Sequence, residues 1–330
     1  MTLDVLGKPV ATGKRVLFHE HIQFGWPGFN LDYRSRTTDV DRAISVLNEL
    51  AAAGYGVLVD ATPLECGRDL ALLRALAEKT SLQLVASTGI YHAGRGFPDH
   101  LASLAQADLA DLFVHDLEAT DLRGRAGVIK VAAERLPLSK REARAIAAAG
   151  QIASRLDVSV VAHTVFAAVA DEVLTIFESQ GARAGLIVLG HLDNERIHLA
   201  EIAQLAARGA FIGIDRFGAG GLASDDERVE LIVALRDLGY LESILISHDR
   251  PLTFLGRVEP EFEPGNLFLH IERAIVPTLE QRGFTPQELN KLLVENPTRF
   301  LDGRGPMLQK PRGRDNRHWP LHRGHMSWRT

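Results

Sequence analysis

A single cysteine, Cys66, leaves this chain of 330 residues without any internal disulfide, which fits a reducing compartment. No uncharged apolar run reaches the about 18 residues that would mark a membrane-spanning helix. The opening segment, MTLDVLGKPVATGKRV, has no apolar stretch of the signal-peptide kind. Charge of one sign is not in strong excess either. The formal net charge of −5 builds no field that would name a nucleic acid or a membrane surface as partner. No Gly-x-Gly-x-x-Gly follows the first apolar run, which weakens a dinucleotide-binding reading, and no sequence repeat is evident. These absences lead to the expectation of a soluble, cytoplasmic, globular protein.

What is present is a regular alternation. Short β-branched runs fall at Val16–Gly25, Tyr55–Thr62, Leu82–Gly89, Gly127–Ala132, Val158–Thr164, Leu186–His191, Ala210–Asp215 and Ser243–Asp249. Helical periodicity fills the intervals, near 39–53, 68–79, 99–118, 139–156, 167–180, 195–208 and 225–238. A loop is expected over Pro251–Asn266 and a last helical region near Leu267–Val294. Strand–helix alternation implies parallel strands joined by helical crossovers. Eight such units in this length predict a single-domain α/β protein, a (β/α)8 TIM barrel over residues 1–302. From residue 303 the composition changes. RGPMLQKPRGRDNRHWPLHRGHMSWRT has no period, so 303–330 is expected to be a basic, disordered tail with no nucleic-acid role of its own.

In a barrel of this kind, chemistry gathers at the carboxyl ends of the strands. The first run ends in His19 and His21, two residues apart and therefore on one face of the strand. A pair of histidines hydrogen-bonded near a sheet edge would look the same. The later runs add Lys130, His163, His191 and Asp249, each behind apolar residues. Six such groups buried at one mouth would each need a partner, and a shared metal centre would satisfy them together. Lys130, inside GVIKVA, is the odd one, because an isolated ammonium there is costly. Burial favours the neutral amine, which can add CO2 and become a carbamate with two oxygens. A lysine paired with Asp249 or Glu134 remains the alternative.

FHEHI, GVIKVA, VVAHT, VLGH, FIGIDRFG and ISHD, in this order, resemble the phosphotriesterase family of the amidohydrolase superfamily, and more closely its phosphotriesterase-like lactonases. TPLECGRD, STGIYH, ADLFVHD and VENPTRFL add to the likeness, which spans about Val16–Leu301. The resemblance implies two divalent metal ions. His19, His21 and Asp249 would hold the more buried one, and His163 and His191 the more exposed one. Lys130, as N6-carboxylysine, and a hydroxide would bridge them. Zinc is the expected metal, with cobalt, manganese or iron as substitutes. Asp249 would also take the proton of the attacking hydroxide. Tyr91 and Arg216 match positions that the lactonase branch uses beside its substrate, although a rim tyrosine and a structural Asp215–Arg216 ion pair are the plainer readings.

The activity implied is opening of a lactone, such as an acyl-homoserine lactone, with promiscuous phosphotriester hydrolysis. A phosphotriesterase or carboxylesterase proper is the alternative, and a catalytically idle binding homologue is the reading from another class. Trp26, Phe254 and Leu255 are candidate pocket walls, while His92, His100, His115 and His198 read as structural or surface residues. The partner is a small ester or lactone, with no membrane or nucleic acid, and the resemblance implies a homodimer.

Overall fold

The computed structural model describes residues 2–120, 123–194, 197–219, 223–256 and 267–308. Among them nine strands form one parallel sheet: β1 Arg15–Phe24, β2 Tyr55–Asp60, β3 Gln83–Ile90, β4 Ala126–Ala132, β5 Val160–His163, β6 Ile187–Gly190, β7 Phe211–Ile214, β8 Ile244–Ile246 and β9 Pro251–Phe254. Neighbours in sequence are neighbours in space from β1 to β8, and β9 pairs with β1 through His21↔Pro251 and Phe24↔Phe254. The ring closes where the Asp249 N–H donates to the His19 carbonyl at 3.1 Å and the His19 N–H donates to Ser247 Oγ at 3.1 Å. The fold is therefore a (β/α)8 barrel in a single domain, as the alternation predicts.

Its crossovers are α1 Val40–Ala52, α2 Leu70–Lys79, α3 Asp99–Ser103, α4 Gln106–Glu118, α5 Lys140–Leu156, α6 Ala167–Ser179, α7 Leu199–Ala207 and α8 Asp225–Asp237, followed by α9 Val276–Gln281, α10 Pro286–Asn290 and α11 Asn296–Leu301. Five start where a side chain can take an orphan N–H. Asp39, Asp69, Ser139, Ser224 and Thr285 each accept from the main chain of the first turn. The barrel interior is filled by alternate strand residues, Val16, Phe18, Val57, Val59, Val85, Val128, Val161, Val188, Phe211 and Leu245, closed below by Phe300 and Leu301. These large side chains leave no pore, so polar chemistry is confined to the upper rim. The other strand faces pack on the helices in one larger apolar layer.

Three expectations about elements are corrected. The eighth run does not continue as a strand to Asp249. Instead the Glu20 carboxylate accepts from Ser247 Oγ at 2.8 Å, His248 N at 2.9 Å and His248 Nδ1 at 2.6 Å, so a side chain takes part of the hydrogen bonding of 247–250, while Ser247 N and Asp249 N still reach the Ile214 and His19 carbonyls. The chain then rejoins the sheet as β9, in what the sequence reads as loop. The helical stretch over 99–118 breaks at Leu104–Ala105, where Asp108 caps the Ala105 N–H at 3.1 Å. The region over 267–294 is likewise interrupted, because Gly283 adopts φ 78° and Thr285 starts a new helix.

Residues 303–305 fold back on the barrel, with Arg183 donating to the Gly303 carbonyl at 3.2 Å and Arg299 to the Gly305 carbonyl at 2.7 Å. The rest of the expected tail, 309–330, lies outside the described residues. No helix among the described residues is long and apolar enough to cross a membrane.

Candidate metal centre

The strand ends bring His19, His21, Lys130, His163, His191 and Asp249 together at one mouth. His19 to His191 ring centroids are 5.0 Å apart, His163 to His191 4.4 Å, and His19 to His21 5.6 Å. Lys130 Nζ lies 2.6 Å from His19 Nε2. Asp249 Oδ1 lies 3.1 Å from His21 Nε2 and 3.4 Å from His19 Nε2, and its Oδ2 lies 3.7 Å from His191 Nδ1. His191 and Asp249 both adopt left-handed backbone, φ 63° and 52°, just beyond their strands. Such positions cost energy for a residue with a Cβ and tend to occur where a site needs a side chain aimed sharply. The remaining four stand on or at the end of their strands, where pleat alone sets their direction.

Partners at the far side of each ring decide which nitrogen carries the proton. The Asp215 carboxylate bridges two of them: Oδ2 takes His19 Nδ1 at 2.7 Å, and Oδ1 takes His191 Nδ1 at 2.8 Å and the His191 main-chain N–H at 2.9 Å. Gly190 and Gly213 make room for it, since a Cβ at either would stand 2.9 or 3.1 Å from Asp215 Oδ2. The Thr62 hydroxyl donates to the Gln23 carbonyl at 3.0 Å and so accepts from His21 Nδ1 at 2.8 Å. His19, His21 and His191 are thereby held with the proton on Nδ1 and a lone pair on Nε2.

These lone pairs allow the fit to metal to be tested. His21 points Nε2 at Asp249 Oδ1 at 3.1 Å, acceptor facing acceptor, which is repulsive unless positive charge stands between them; His19 Nε2 faces the same oxygen at 3.4 Å and Lys130 Nζ at 2.6 Å. His163 Nε2 and His191 Nε2 are buried and have no hydrogen-bond partner among the described residues. A buried polar atom left unpaired costs about 1–3 kcal/mol. His19, His21 and Asp249 place ligand atoms within 4.8 Å of one another, as do His19, His191 and Asp215. Imidazoles with free Nε2, a carboxylate and an amine form a donor set suited to divalent transition metals. The residues fit the ions.

The electrostatics point the same way. Burial lowers the His191 imidazole to about 4, and neighbouring Arg216 adds to the effect. Burial and the nearby His191 hold His163 well below the ordinary histidine value. Both rings stay neutral, with lone pairs available, at any physiological pH. Burial also lowers Lys130 to about 8, against the pull of Asp249 and Asp215, so about a tenth of its amine is free at pH 7. For Asp249, burial alone would raise the carboxyl, but His191, His19, His21 and Arg216 outweigh it and keep the group well below the usual carboxylate range.

Around this centre stand the side chains of the barrel mouth. The Tyr91 hydroxyl is 3.2 Å from His163 Nδ1. Arg216 Nε reaches Asp249 Oδ2 at 3.3 Å, its Nη1 donates to Asn194 Oδ1 at 2.9 Å, and its main-chain N–H donates to Asp193 Oδ2 at 3.0 Å. The side chains of Arg216 and Asp249 stay 17 % and 18 % exposed, so the mouth opens beside them. Phe24, Trp26, Tyr91, Cys66 and Phe254 form one apolar cluster at the rim. Leu255, in contrast, is buried against Gly25 and Gly67 and packs a turn. His92 is buried, stacks on His163 at 5.6 Å and accepts from Gly94 N at 3.2 Å; with Glu134 and His163 it also places ligand atoms within 4.8 Å of one another. Asp215 bonds to imidazoles rather than to Arg216. Sequence reasoning missed its task, and also missed Thr62 and Glu20. The available signal was position: Asp215 and Thr62 stand one and two places beyond β7 and β2, and Glu20 lies between the two histidines of β1.

The model of the phosphotriesterase family matches residues 4–301. A Mycobacterium tuberculosis protein described as a phosphotriesterase homology protein is 29 % identical over 305 residues, covering 88 % of this chain and 93 % of its own. An aryldialkylphosphatase of Saccharolobus solfataricus is 29 % identical over 325 residues, covering 91 % of this chain and all of its own, 100 %. Among solved structures, a variant of a phosphotriesterase-like lactonase from Deinococcus radiodurans superposes with a TM-score of 0.83 at 30 % identity, covering 91 % of this chain and 100 % of that one.

Proposed function

This chain belongs to the phosphotriesterase family of binuclear metal-dependent hydrolases, and on that premise we propose that it is a lactonase with a weaker phosphotriesterase activity. His19, His21 and Asp249 would hold one ion and His163 and His191 the other, with Lys130, carboxylated by CO2, between them. Zinc is the metal we favour. Bound divalent ions would supply an acidified water and a polarised carbonyl or phosphoryl oxygen. The observation that carries this reading is the set of imidazole lone pairs, oriented by Asp215 and Thr62, that converge on Asp249 or stand buried and unpaired.

The chain's own residues divide the remaining work. Asp249 accepts the nucleophile's proton at Oδ2, the oxygen beside Arg216. Arg216, held by Asn194 and Asp193, orients the bound ester. The Tyr91 hydroxyl offers a hydrogen bond at the edge of the site, close to His163, for the ring oxygen of a lactone. Phe24, Trp26 and Phe254 present an apolar face that suits an acyl chain better than a charged leaving group.

A panel of acyl-homoserine lactones, simple aryl esters and an aryl phosphotriester, run in zinc-replete buffer, tests the reading. The lactones are expected to give kcat/KM at least about 10²-fold above the phosphotriester, a ratio of the size that a few pocket contacts provide. The reverse order would make it a phosphotriesterase proper, and no turnover with a full metal load would make it a binding homologue.

The loop after β1 exposes Leu31 and Tyr33 at 86 % and 94 %. We propose that it joins two copies. Light scattering of the dilute protein is then expected to give twice the chain mass of 36.1 kDa, and a single-chain mass would exclude the dimer.

A further inference from the structure

Glu65 sits in the tight turn Leu64–Cys66 between β2 and α2, behind the pocket wall. Its Oε1 accepts from the main-chain N–H of Tyr91 at 2.6 Å, while its Oε2 is buried with no hydrogen-bond partner among the described residues. The same turn is tied to the end of β1, because Gly25 N donates to the Cys66 carbonyl at 2.9 Å and Gln23 Nε2 to the Gly67 carbonyl at 2.7 Å. The turn thus links three strand ends that frame the mouth, to β1 through its carbonyls and to the end of β3 through one Glu65 oxygen. Tyr91 begins the loop after β3, and its ring meets Trp26 at 6.0 Å and His163 at 5.1 Å.

We propose that Glu65 is a positioning residue whose grip on the Tyr91 main chain sets the aromatic wall for substrate, and that ionising this half-satisfied carboxyl loosens the wall and weakens substrate capture. Burial pushes the Glu65 carboxyl up to about 7, only partly offset by the main-chain N–H groups of Glu65 and Tyr91. Among the described residues no cation compensates the charge. The neighbours that titrate are Cys66 and Tyr91, both pushed up by burial and so neutral, and Arg68 of the same loop is turned to Asp116 at 2.7 Å. Tyr91 in turn faces Asp249, Arg216 and Glu134. Because the folded value lies above the ordinary 4.5, the fold favours the neutral acid; the stability it contributes is complete below about pH 4.5 and is lost as pH rises through about 7. An ionised Oε2 must then find water or move, and Tyr91 moves with it.

The proposal rests on the hydrolase reading for its kinetic arm only. Across about pH 6 to 8.5, the KM of the wild type for its lactone is expected to rise about three- to tenfold with a midpoint near 7, the size of one hydrogen-bonded contact, with kcat little changed. Glu65→Gln, which keeps the shape and cannot ionise, is expected to flatten that rise. The second arm needs no substrate. Trp26 is the only tryptophan among the described residues, so a metal-free Trp319→Phe/Trp328→Phe protein reports on the wall by its emission. Emission is expected to shift with the same midpoint near 7, and Glu65→Gln is expected to abolish the shift. Should Glu65→Gln fold poorly, Glu65→Ala serves, with the emission fixed in its high-pH form at every pH. An emission midpoint that survives both substitutions would overturn the proposal, whether or not lactones are turned over.

Discussion

Asp249→Asn is expected to lower kcat/KM on the best substrate by about 10³-fold, the scale set by losing a positioned general base, while the barrel stays folded. The substitution keeps size and shape. Asparagine also tolerates the left-handed φ of 52° that this position requires. What disappears is the negative charge that His191, His19, His21 and Arg216 hold in place, and with it the site that takes the nucleophile's proton. An amide in its place can keep an oxygen on Arg216 Nε, 3.3 Å away, but then turns its NH2 toward the Nε2 atoms of His21 and His19. Steady-state kinetics and a circular-dichroism melt check both halves of the expectation. A variant that turns over at the wild-type rate would remove Asp249 from the mechanism, and one that does not fold would make its role structural.

The second large effect is expected at Asp215. Its carboxylate takes three N–H groups, His19 Nδ1, His191 Nδ1 and the His191 main chain, and it is fully buried. Burial would raise this carboxyl, but His191 and His19 outweigh burial and hold it well below the usual range, so it stays charged. In Asp215→Asn one of the two oxygens becomes an NH2 donor. One histidine must then give up its Nδ1 proton and carry it on Nε2, where a metal would bind. Loss of such an orienting partner typically weakens metal binding by 10–100-fold, and a residue that serves two ligands is expected to reach the upper end, about 10²-fold. Competition against a chelator at fixed pH measures it directly on the protein without substrate. An unchanged affinity would show that the tautomers are set by something other than Asp215.

Much of the architecture was legible along the chain because it rests on local rules. The short β-branched runs and capped helical stretches alternate without exception through eight units, and a parallel sheet has few ways to accommodate that pattern. The candidate ligands were legible for the same reason. Each stands at or near the carboxyl end of an apolar run, and the barrel places those ends on one rim. The errors fall where a side chain overrides the local pattern. Glu20 takes the His248 N–H that a ladder would use, so the eighth run stops early and Pro251–Phe254, read as loop, returns to β1 as a strand. Asp215 next to Arg216 suggests an ion pair in sequence; in space each is turned to a partner distant along the chain, Asp215 to His19 and Arg216 to Asp249.

By itself the sequence determined the order of elements, the barrel, and which polar residues would stand at its mouth, since periodicity and spacing are properties of neighbours along the chain. Only the tertiary structure decided which nitrogen of each histidine is free, that a single buried carboxylate from β7 orients two of them, and that Glu65 lies behind the Tyr91 main chain. Those facts depend on contacts between residues tens to hundreds of positions apart, such as His19 with Asp215 and Tyr91 with Glu65. Hydrogen-bond direction and burial exist only once the strands have closed.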